Sequence, residues 1–184
     1  NSRSLSCSRA TKGWLLRTWY APSLCGLVNR CTFVDMLTEG SAVPDIDLLD
    51  QEGKKFSWSK MGKKKVLIYF YPKADTPGCT TQSCGLRDIK DKIGRTVIVG
   101  ISPDKSEKQK KFDDKYELGF PLLADTENVV AKAFKVWKKK SMYGREYMGI
   151  ERSAFLVQDG VVLHAWYKIS PADTPKNLLK ALGK

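Results

Sequence analysis

The chain has 184 residues, enough for one ordinary domain and an additional segment, and its 42% hydrophobic and 10% aromatic residues are typical of a globular protein. No apolar run approaches the ~20 residues of a membrane span. The five cysteines show neither regular spacing nor a repeated Cys-x-x-Cys pair, which argues against a disulfide framework and against a zinc site. The formal net charge of +12 is distributed over several lysine runs that have the pattern of solvated rims or helix faces, so we predict no specific nucleic-acid partner and only weak, salt-sensitive association with polyanions.

The first 40 residues differ in composition from the rest of the chain. Residues 1–34 contain five Lys and Arg side chains, and the first acidic residue is Asp35. Arginine- and serine-rich, acid-poor segments are typical of transit peptides, so we predict that residues 1–40 are a basic extension that targets the protein to a mitochondrion or another organelle. The alternatives are a disordered tail on a cytoplasmic protein and translated sequence upstream of a start at Met36.

Residues 41–184 have the pattern of a single α/β domain. Turn signals and hydrophobic runs predict, in chain order, a hairpin of strands 45–49 and 55–58, a strand at 65–71, a helix at 77–92, a strand at 96–101, a helix at 105–116, a short strand at 121–123, a helix capped by residues 125–127 and ending near 134, a hairpin of strands 153–157 and 161–167, and a helix at 174–182. Two strand–helix crossovers followed by a hairpin and a closing helix indicate a thioredoxin-like fold, in which helices flank a central mixed β-sheet. The first hairpin adds an N-terminal β-hairpin to this fold.

The segment from Tyr69 to Cys84 contains the strongest chemical signal. An apolar, aromatic strand ends at Pro72, which cannot donate a ladder hydrogen bond, and Thr76 followed by proline is typical of a helix N-cap. Cys79 then lies in the first turn of the helix, where unpaired N–H groups and the positive end of the dipole favour a thiolate over a thiol. Because the thiolate is the nucleophilic form of cysteine, this position predicts a reactive Cys79. The alternative is that both cysteines are core residues.

Cys84 is expected on the same helix as Cys79, further along the chain. From the α-helical rise and radius, their Cα atoms would be roughly 8–9 Å apart, whereas a disulfide requires less than about 7 Å. Cys79 and Cys84 therefore cannot bond while the helix is intact. Any disulfide between them is predicted to require the first turn to open, around residues 78–85.

These residues resemble the peroxiredoxin family, and most closely its bacterioferritin-comigratory-protein or peroxiredoxin Q branch. The family motif Pro-x-x-x-Thr-x-x-Cys is present at Pro72, Thr76 and Cys79. The branch pattern is matched at residues 69–84, and further matches lie at residues 86–88, 100–104, 120–125 and 142–153. The resemblance covers roughly residues 41–184. One departure lies between the two cysteines, where Thr-Thr-Gln-Ser replaces a segment that often contains a Lys-Glu or similar pair.

The resemblance implies a thiol peroxidase that reduces hydrogen peroxide and organic hydroperoxides in antioxidant defence and cell redox homeostasis, without a metal or organic cofactor. Cys79 would be the peroxidatic cysteine, which is oxidised to a sulfenic acid, and Cys84 the resolving cysteine, which forms an intramolecular disulfide with Cys79. Thr76 would hydrogen-bond the thiolate and the peroxide, Arg152 would hold the thiolate and polarise the peroxide, and Pro72 would shield the site from water. A thioredoxin or a similar dithiol protein would reduce the disulfide of a monomeric enzyme.

The sequence leaves two other functions open. A disulfide reductase of thioredoxin-like fold would normally contain Cys-x-x-Cys rather than the Cys-x-x-x-x-Cys spacing found here. A basic, nucleic-acid-associated or redox-sensing protein would use oxidation of the thiol only to change its affinity for a partner. His164, the only histidine, lies in a strand pattern that favours a structural role over that of a base in a Cys–His hydrolase. Without the family resemblance, Arg152 would be expected in a surface ion pair.

Overall fold

The structure is a computed structural model that describes residues 36–56, 61–142 and 144–184. Most of the predicted N-terminal extension lies outside the described residues, and its targeting role stays a prediction. In chain order, the described elements are β1 (Val66–Phe70), α1 (Pro77–Asp88), a 3₁₀ helix (Lys90–Lys92), β2 (Val97–Ser102), α2 (Ser106–Tyr116), β3 (Leu122–Ala124), α3 (Val129–Ala133), β4 (Trp137–Met142), β5 (Arg145–Ile150), β6 (Ser153–Gln158), β7 (Val161–Trp166) and α4 (Asp173–Ala181).

Strand β1 is the centre of a five-stranded mixed sheet of order β3-β2-β1-β6-β7. Strand β2 is parallel to β1 on one side, and β6 is antiparallel to it on the other. Every residue of β1 is buried, and alternate side chains enter two hydrophobic clusters, with Ile68 and Phe70 on one face of the sheet and Leu67 and Tyr69 on the other. Because both faces are covered, the strand is apolar without interruption. This arrangement confirms the predicted α/β class with a thioredoxin-like central sheet.

The helices divide between the two faces of the sheet. Leu86 of α1, Phe112 of α2 and Leu178 of α4 belong to the same buried cluster as Tyr69, whereas α3 contributes to the cluster on the opposite face. Helix α1 therefore packs on this face of the sheet beside α4, with its buried side against Tyr69.

The register between β1 and β6 brings two distant parts of the chain to one edge of the sheet. Phe70, the last residue of β1, pairs with Ser153, the first residue of β6. The chain after Phe70 leads through residues 71–76 into α1, and Arg152 directly precedes Ser153. Because the two strands are antiparallel, the end of one and the start of the other lie side by side. Arg152 is thereby placed next to the segment that leads to Cys79.

The predicted N-terminal hairpin is reduced to a turn with isolated bridges. Leu49 pairs with Lys55, and the Phe56 N–H donates to Leu48 O at 2.9 Å, so the chain reverses where predicted. The strand predicted at 45–49 is nevertheless wrong, and the one predicted at 55–58 extends beyond the described residues. Leu49 also bridges Ala124 of β3, so this segment joins the edge of the central sheet instead of forming a ribbon of its own.

Two other predictions need correction. Helix α1 ends at Asp88 rather than near 92, and the next residues form the separate 3₁₀ helix. The lysine run that begins after Trp137, predicted as a solvated rim or a helix face, does not lie on a helix: it lies in β4 with the Lys139 side chain exposed, and β4 forms an antiparallel ribbon with β5 in which Trp137 pairs with Ile150. Most β5 side chains are exposed. Since neither face of this strand is fully buried, the sequence shows no alternating hydrophobic pattern that would have predicted it.

The contact between β1 and β2 leads to a stability prediction at Gly100, which pairs with Tyr69. A Cβ atom at Gly100 would lie 2.8 Å from the Tyr69 hydroxyl oxygen and 2.8 Å from Leu122 Cδ2, and both partners are fully buried. We expect Gly100→Ala to lower the free energy of unfolding by about 1–3 kcal/mol, because a packed core cannot accept the added methyl group without strain. Urea unfolding followed by circular dichroism measures the change. An unaltered unfolding midpoint would show that the Tyr69 ring moves freely.

Candidate active site

Cys79 lies at the start of α1, as the sequence predicts. Thr76 is the extended N-cap residue, and proline is the first helical residue. The first intrahelical hydrogen bond joins the Thr80 N–H to Thr76 O at 2.8 Å, so the N–H groups of Gly78 and Cys79 precede it and have no intrahelical acceptor. The first turn contains no acidic side chain. The positive end of the helix dipole is therefore not compensated by the helix itself at Cys79.

The Arg152 guanidinium contacts the Cys79 sulfur. Arg152 Nη2 lies 3.4 Å from Cys79 Sγ, while Nη1 donates to Gln82 Oε1 at 2.5 Å and lies 3.4 Å from Gly78 O. Cys79 is fully buried, and Arg152 is half-buried. A positive charge stabilises an adjacent anion more strongly where water is excluded. The contact therefore places a positive charge and N–H donors beside the Cys79 sulfur.

Gln82 connects this guanidinium to α4. The Gln82 side chain is fully buried, and its Nε2 donates to Thr174 Oγ1 at 2.9 Å; the Thr174 hydroxyl in turn donates to Ser170 O at 3.3 Å. A neutral amide fixes the orientation of Arg152 without neutralising its charge. Sequence reasoning noted Gln82 only as a departure from the family pattern and missed this contact. The available signal was its position three residues after Cys79, which places both side chains on one face of the helix.

The close approach of Arg152 to α1 depends on Gly78. A Cβ atom at this position would lie 3.2 Å from Arg152 Nη2 and 3.5 Å from Pro171 Cγ. The absence of a side chain leaves room for the guanidinium over the first turn, next to Cys79. Glycine is needed here because of this close contact, and not because of an unusual backbone conformation.

Thr76 and Pro72 lie in the loop between β1 and α1, but their predicted roles at the sulfur stay predictions. The Thr76 hydroxyl donates to Lys73 O at 3.0 Å, so its proton is not directed at Cys79, and it does not cap the helix. Pro72 is half-buried at the bend after β1. The loop is held by Asp104, which precedes α2 and whose Oδ2 accepts the Ala74 N–H at 2.6 Å.

Cys84 is a free thiol on the same intact helix as Cys79. It is half-buried and packs against the hydrophobic cluster that contains Leu86. The structure therefore describes the reduced dithiol, and the helical spacing keeps the two thiols apart. Helix α1 is also packed closely on α4, since a Cβ atom at Gly85 would lie 2.9 Å from Pro175 Cγ. Opening the helix to join the cysteines would disrupt this packing.

Two buried tyrosines, Tyr69 and Tyr71, form hydrogen bonds with polar side chains of α1 and α2. The Tyr69 and Ser83 hydroxyl oxygens are 2.9 Å apart, and the Tyr71 hydroxyl donates to Gln109 Oε1 at 2.5 Å. Burial raises the pKa of Tyr69 and of Tyr71 well above the usual value for a phenol. Both side chains therefore stay protonated, and neither adds a negative charge near the Cys79 sulfur.

The other candidate groups lie apart from this site. His164 Nδ1 is 2.7 Å from Glu39 Oε1, and the imidazole ring stacks on Trp166 at a centroid distance of 5.6 Å. Within residues 36–56, 61–142 and 144–184, no group of three or more His, Cys, Asp or Glu side chains is arranged to hold a metal ion. None of the helices in this part of the chain combines the length and apolar character that crossing a bilayer requires.

Comparisons with a family model and with individual proteins agree on one family. A model of the AhpC/TSA family matches residues 40–165. Peroxiredoxin Bcp of Bacillus subtilis is 42% identical over 146 residues, which cover 78% of this chain and 93% of that protein. Peroxiredoxin Bcp of Escherichia coli is 43% identical over 133 residues, which cover 71% of this chain and 85% of that protein.

Solved structures agree with the sequence comparisons. The bacterioferritin comigratory protein of Xanthomonas campestris superposes with a TM-score of 0.72 at 33% identity, and the match covers 81% of this chain and 98% of that one. Peroxidoxin BcpB of Mycobacterium tuberculosis superposes with a TM-score of 0.71 at 33% identity, over 80% of this chain and 97% of that one.

The contact between Gln82 and Arg152 leads to a prediction about thiol reactivity. We expect Gln82→Leu to slow oxidation of Cys79 by hydrogen peroxide about tenfold, because the guanidinium loses the acceptor that fixes its orientation. Stopped-flow tryptophan fluorescence of the reduced protein measures the rate constant. Gln158→Leu makes the same chemical change at the end of β6, where Gln158 Nε2 donates to Lys63 O, and should leave the rate unchanged. Equal rates for the two variants would contradict an orienting role of Gln82.

Proposed function

Since the chain belongs to the AhpC/TSA family and is a peroxiredoxin of the Bcp and peroxiredoxin Q type, we propose that it reduces hydrogen peroxide and alkyl hydroperoxides through Cys79 and an intramolecular disulfide with Cys84. The observation that carries this proposal is the 3.4 Å contact between Arg152 Nη2 and Cys79 Sγ at the start of α1. The Xanthomonas campestris relative, for which alkyl peroxide reduction is described, supports organic hydroperoxides as substrates.

In the first step, the Cys79 thiolate attacks the terminal oxygen of the peroxide. A sulfur–oxygen bond forms and the O–O bond breaks, so that sulfur loses two electrons and becomes a sulfenic acid. The departing oxygen takes up a proton and leaves as water from hydrogen peroxide or as an alcohol from an organic hydroperoxide. The Arg152 guanidinium stabilises the negative charge as it moves from sulfur to the departing oxygen, because it is already oriented by Gln82.

In the second step, the Cys84 thiolate attacks the Cys79 sulfur. A disulfide forms, and the sulfenic oxygen leaves as water after it accepts a proton. This step requires α1 to open, because the two cysteines lie on one intact helix. The opening breaks the hydrogen bond from Gln82 to Thr174. Oxidation of Cys79 is thereby coupled to release of the helix start from Arg152 and α4.

We infer that a dithiol protein of the thioredoxin type closes the cycle by thiol–disulfide exchange. Its thiolate attacks the disulfide and receives the two oxidising equivalents, so both cysteines of the peroxiredoxin return as thiols. A monomer is sufficient for this cycle, since both cysteines and the arginine belong to one chain.

We also propose that residues 1–40 direct the protein to a mitochondrion or another organelle. The support for this proposal is their basic composition, which contains no acidic residue before Asp35.

The two cysteines have distinguishable roles in this mechanism. One equivalent of hydrogen peroxide should remove two thiols from the reduced protein, and Cys79→Ser should abolish the rapid loss. In Cys84→Ser the sulfenic acid should persist and be trapped by a 1,3-dione, as detected by mass spectrometry.

Both thiol measurements are made in a background in which Cys7, Cys25 and Cys31 are serine, so that only the two cysteines of α1 contribute. Slow loss of thiols that continues in Cys79→Ser would contradict the proposed function. Absence of a trapped adduct in Cys84→Ser would contradict only the resolving role of Cys84.

Arg152 is expected to determine the rate of the first step. Arg152→Ala should slow peroxide attack by about two orders of magnitude, and Arg152→Lys should recover part of the loss, because lysine keeps the charge but lacks the planar fork of donors. Arg145→Ala removes the same side chain from an exposed position of β5 and serves as the matched control. Equal rates in the Arg152 and Arg145 variants would remove Arg152 from the mechanism.

A further inference from the structure

Arg152 also lines an open cavity of about 470 Å³ that the peroxidase mechanism does not use. The walls of the cavity come from β4, β5, the segment around Arg152 and the turn after β7. The lining residues other than Arg152 are Lys140, Ser141, Tyr147, Glu151, Lys168 and Ile169. Arg152 therefore takes part in two sites: its guanidinium contacts the Cys79 sulfur, and the residue lines this cavity. A molecule in the cavity would be in reach of the group that contacts the sulfur.

The charge of the cavity lining is positive and largely unpaired. Lys140, Lys168 and Arg152 are its cations, and Glu151 is its one acid. Glu151 is already paired, because Lys138 Nζ lies 2.8 Å from its Oε2. Among the described residues, neither Lys140 nor Lys168 forms an ion pair, and the hydrogen-bond partners of Arg152 carry no formal charge except the sulfur when it is ionised. The lining therefore contains three cations and one acid, and that acid is already paired with Lys138.

The local structure holds these cations beside Arg152. Lys140 is half-buried in β4, and its Nζ donates to Ile150 O at 2.5 Å. Lys168 is exposed in a tight turn with a positive φ of 51°, and the next residue, Ile169, donates its N–H to Arg152 O at 3.0 Å. The turn is therefore attached to the backbone of Arg152 itself. Burial lowers the pKa of Lys140; the nearby Glu151 carboxylate opposes this effect and the Arg152 charge adds to it.

We propose that this cavity binds the carboxylate of an organic hydroperoxide whose O–O group reacts at Cys79, an inference that rests on the peroxidase function proposed above. A carboxylate would accept hydrogen bonds from Lys140 and Lys168, and its negative charge would balance part of the positive charge of the lining. The Tyr147 ring, which is 44% exposed in the cavity wall, offers an apolar surface for the carbon skeleton. The carboxylate is bound and not consumed, so the products are the hydroxy acid and the sulfenic acid of Cys79.

The proposed subsite predicts a preference that differs from the effect of overall charge. A chain with a net charge of +12 attracts every anion, wherever the positive residues lie. A built subsite depends instead on the two lysines that line it. Lys139 provides the comparison, because it neighbours Lys140 in β4, pairs with Glu146 at 2.6 Å and does not line the cavity. Its removal changes the total charge by the same amount.

The test compares two hydroperoxides that differ in one charge. Cumene hydroperoxide with a para-carboxylate and the corresponding para-carboxamide are reacted with the reduced full chain, and the readout is the ratio of their second-order rate constants. We expect the ratio to exceed one in the unmodified protein and to fall about three- to tenfold in Lys168→Gln and in Lys140→Gln. Lys139→Gln should keep the ratio of the unmodified protein. High salt should reduce the ratio toward one.

The outcomes separate this inference from the proposed function. A ratio near one in the unmodified protein would overturn the carboxylate subsite, and so would an equal fall of the ratio in Lys139→Gln and Lys168→Gln. In either case, rapid reaction with hydrogen peroxide would leave the peroxidase function intact. Absence of reaction with hydrogen peroxide as well would instead overturn the proposed function. Because Lys168 is exposed and its side chain supports no other element, Lys168→Gln tests the subsite even if Lys140→Gln fails to fold.

Discussion

The contact between the Arg152 guanidinium and the Cys79 sulfur is the interaction on which the rest of the site depends. It is made by the sheet: β6 pairs antiparallel with β1, so the residue before β6 lies beside the segment that leads from β1 into α1. Gly78 leaves the space for the guanidinium, and Gln82 fixes its orientation with a neutral amide. Each of these features serves one purpose, which is to keep a positive charge unneutralised beside a buried sulfur.

The proposed mechanism places two opposing requirements on helix α1. The reduced site needs α1 intact, because only then do its first turn and Gln82 hold Cys79 against Arg152. A disulfide with Cys84 needs α1 to open, because an intact helix keeps the two thiols too far apart. The packing of Gly85 on Pro175 and the hydrogen bond from Gln82 to Thr174 stabilise the closed form. These contacts with α4 therefore influence the balance between the two states.

The shared position of Arg152 links peroxide chemistry to substrate choice. The Arg152 guanidinium contacts the sulfur, and Arg152 lines the cavity together with Lys140 and Lys168. Three of the seven lining residues, Lys140, Ser141 and Tyr147, belong to the β4–β5 ribbon, which is separate from the central sheet. On the proposals above, reactivity depends on the contact between Arg152 and Cys79, and substrate preference depends on the lysines of the cavity.

The sequence by itself determined the central strand, the helix that starts after Thr76, the position of Cys79 in its first turn and the incompatibility of an intact helix with a disulfide to Cys84. These features depend on local rules of hydrophobic pattern, capping and helix geometry. Only the tertiary structure decided which groups meet at the site: strand register brings Arg152 to the sulfur, and Gln82 contacts Arg152 from the same helix as Cys79. The β4–β5 ribbon was also hidden, because an exposed strand has no buried face to impose a period on its residues. Contacts between residues that are distant in the chain leave no pattern in the neighbouring sequence, so their partners appear only when the sheet is assembled.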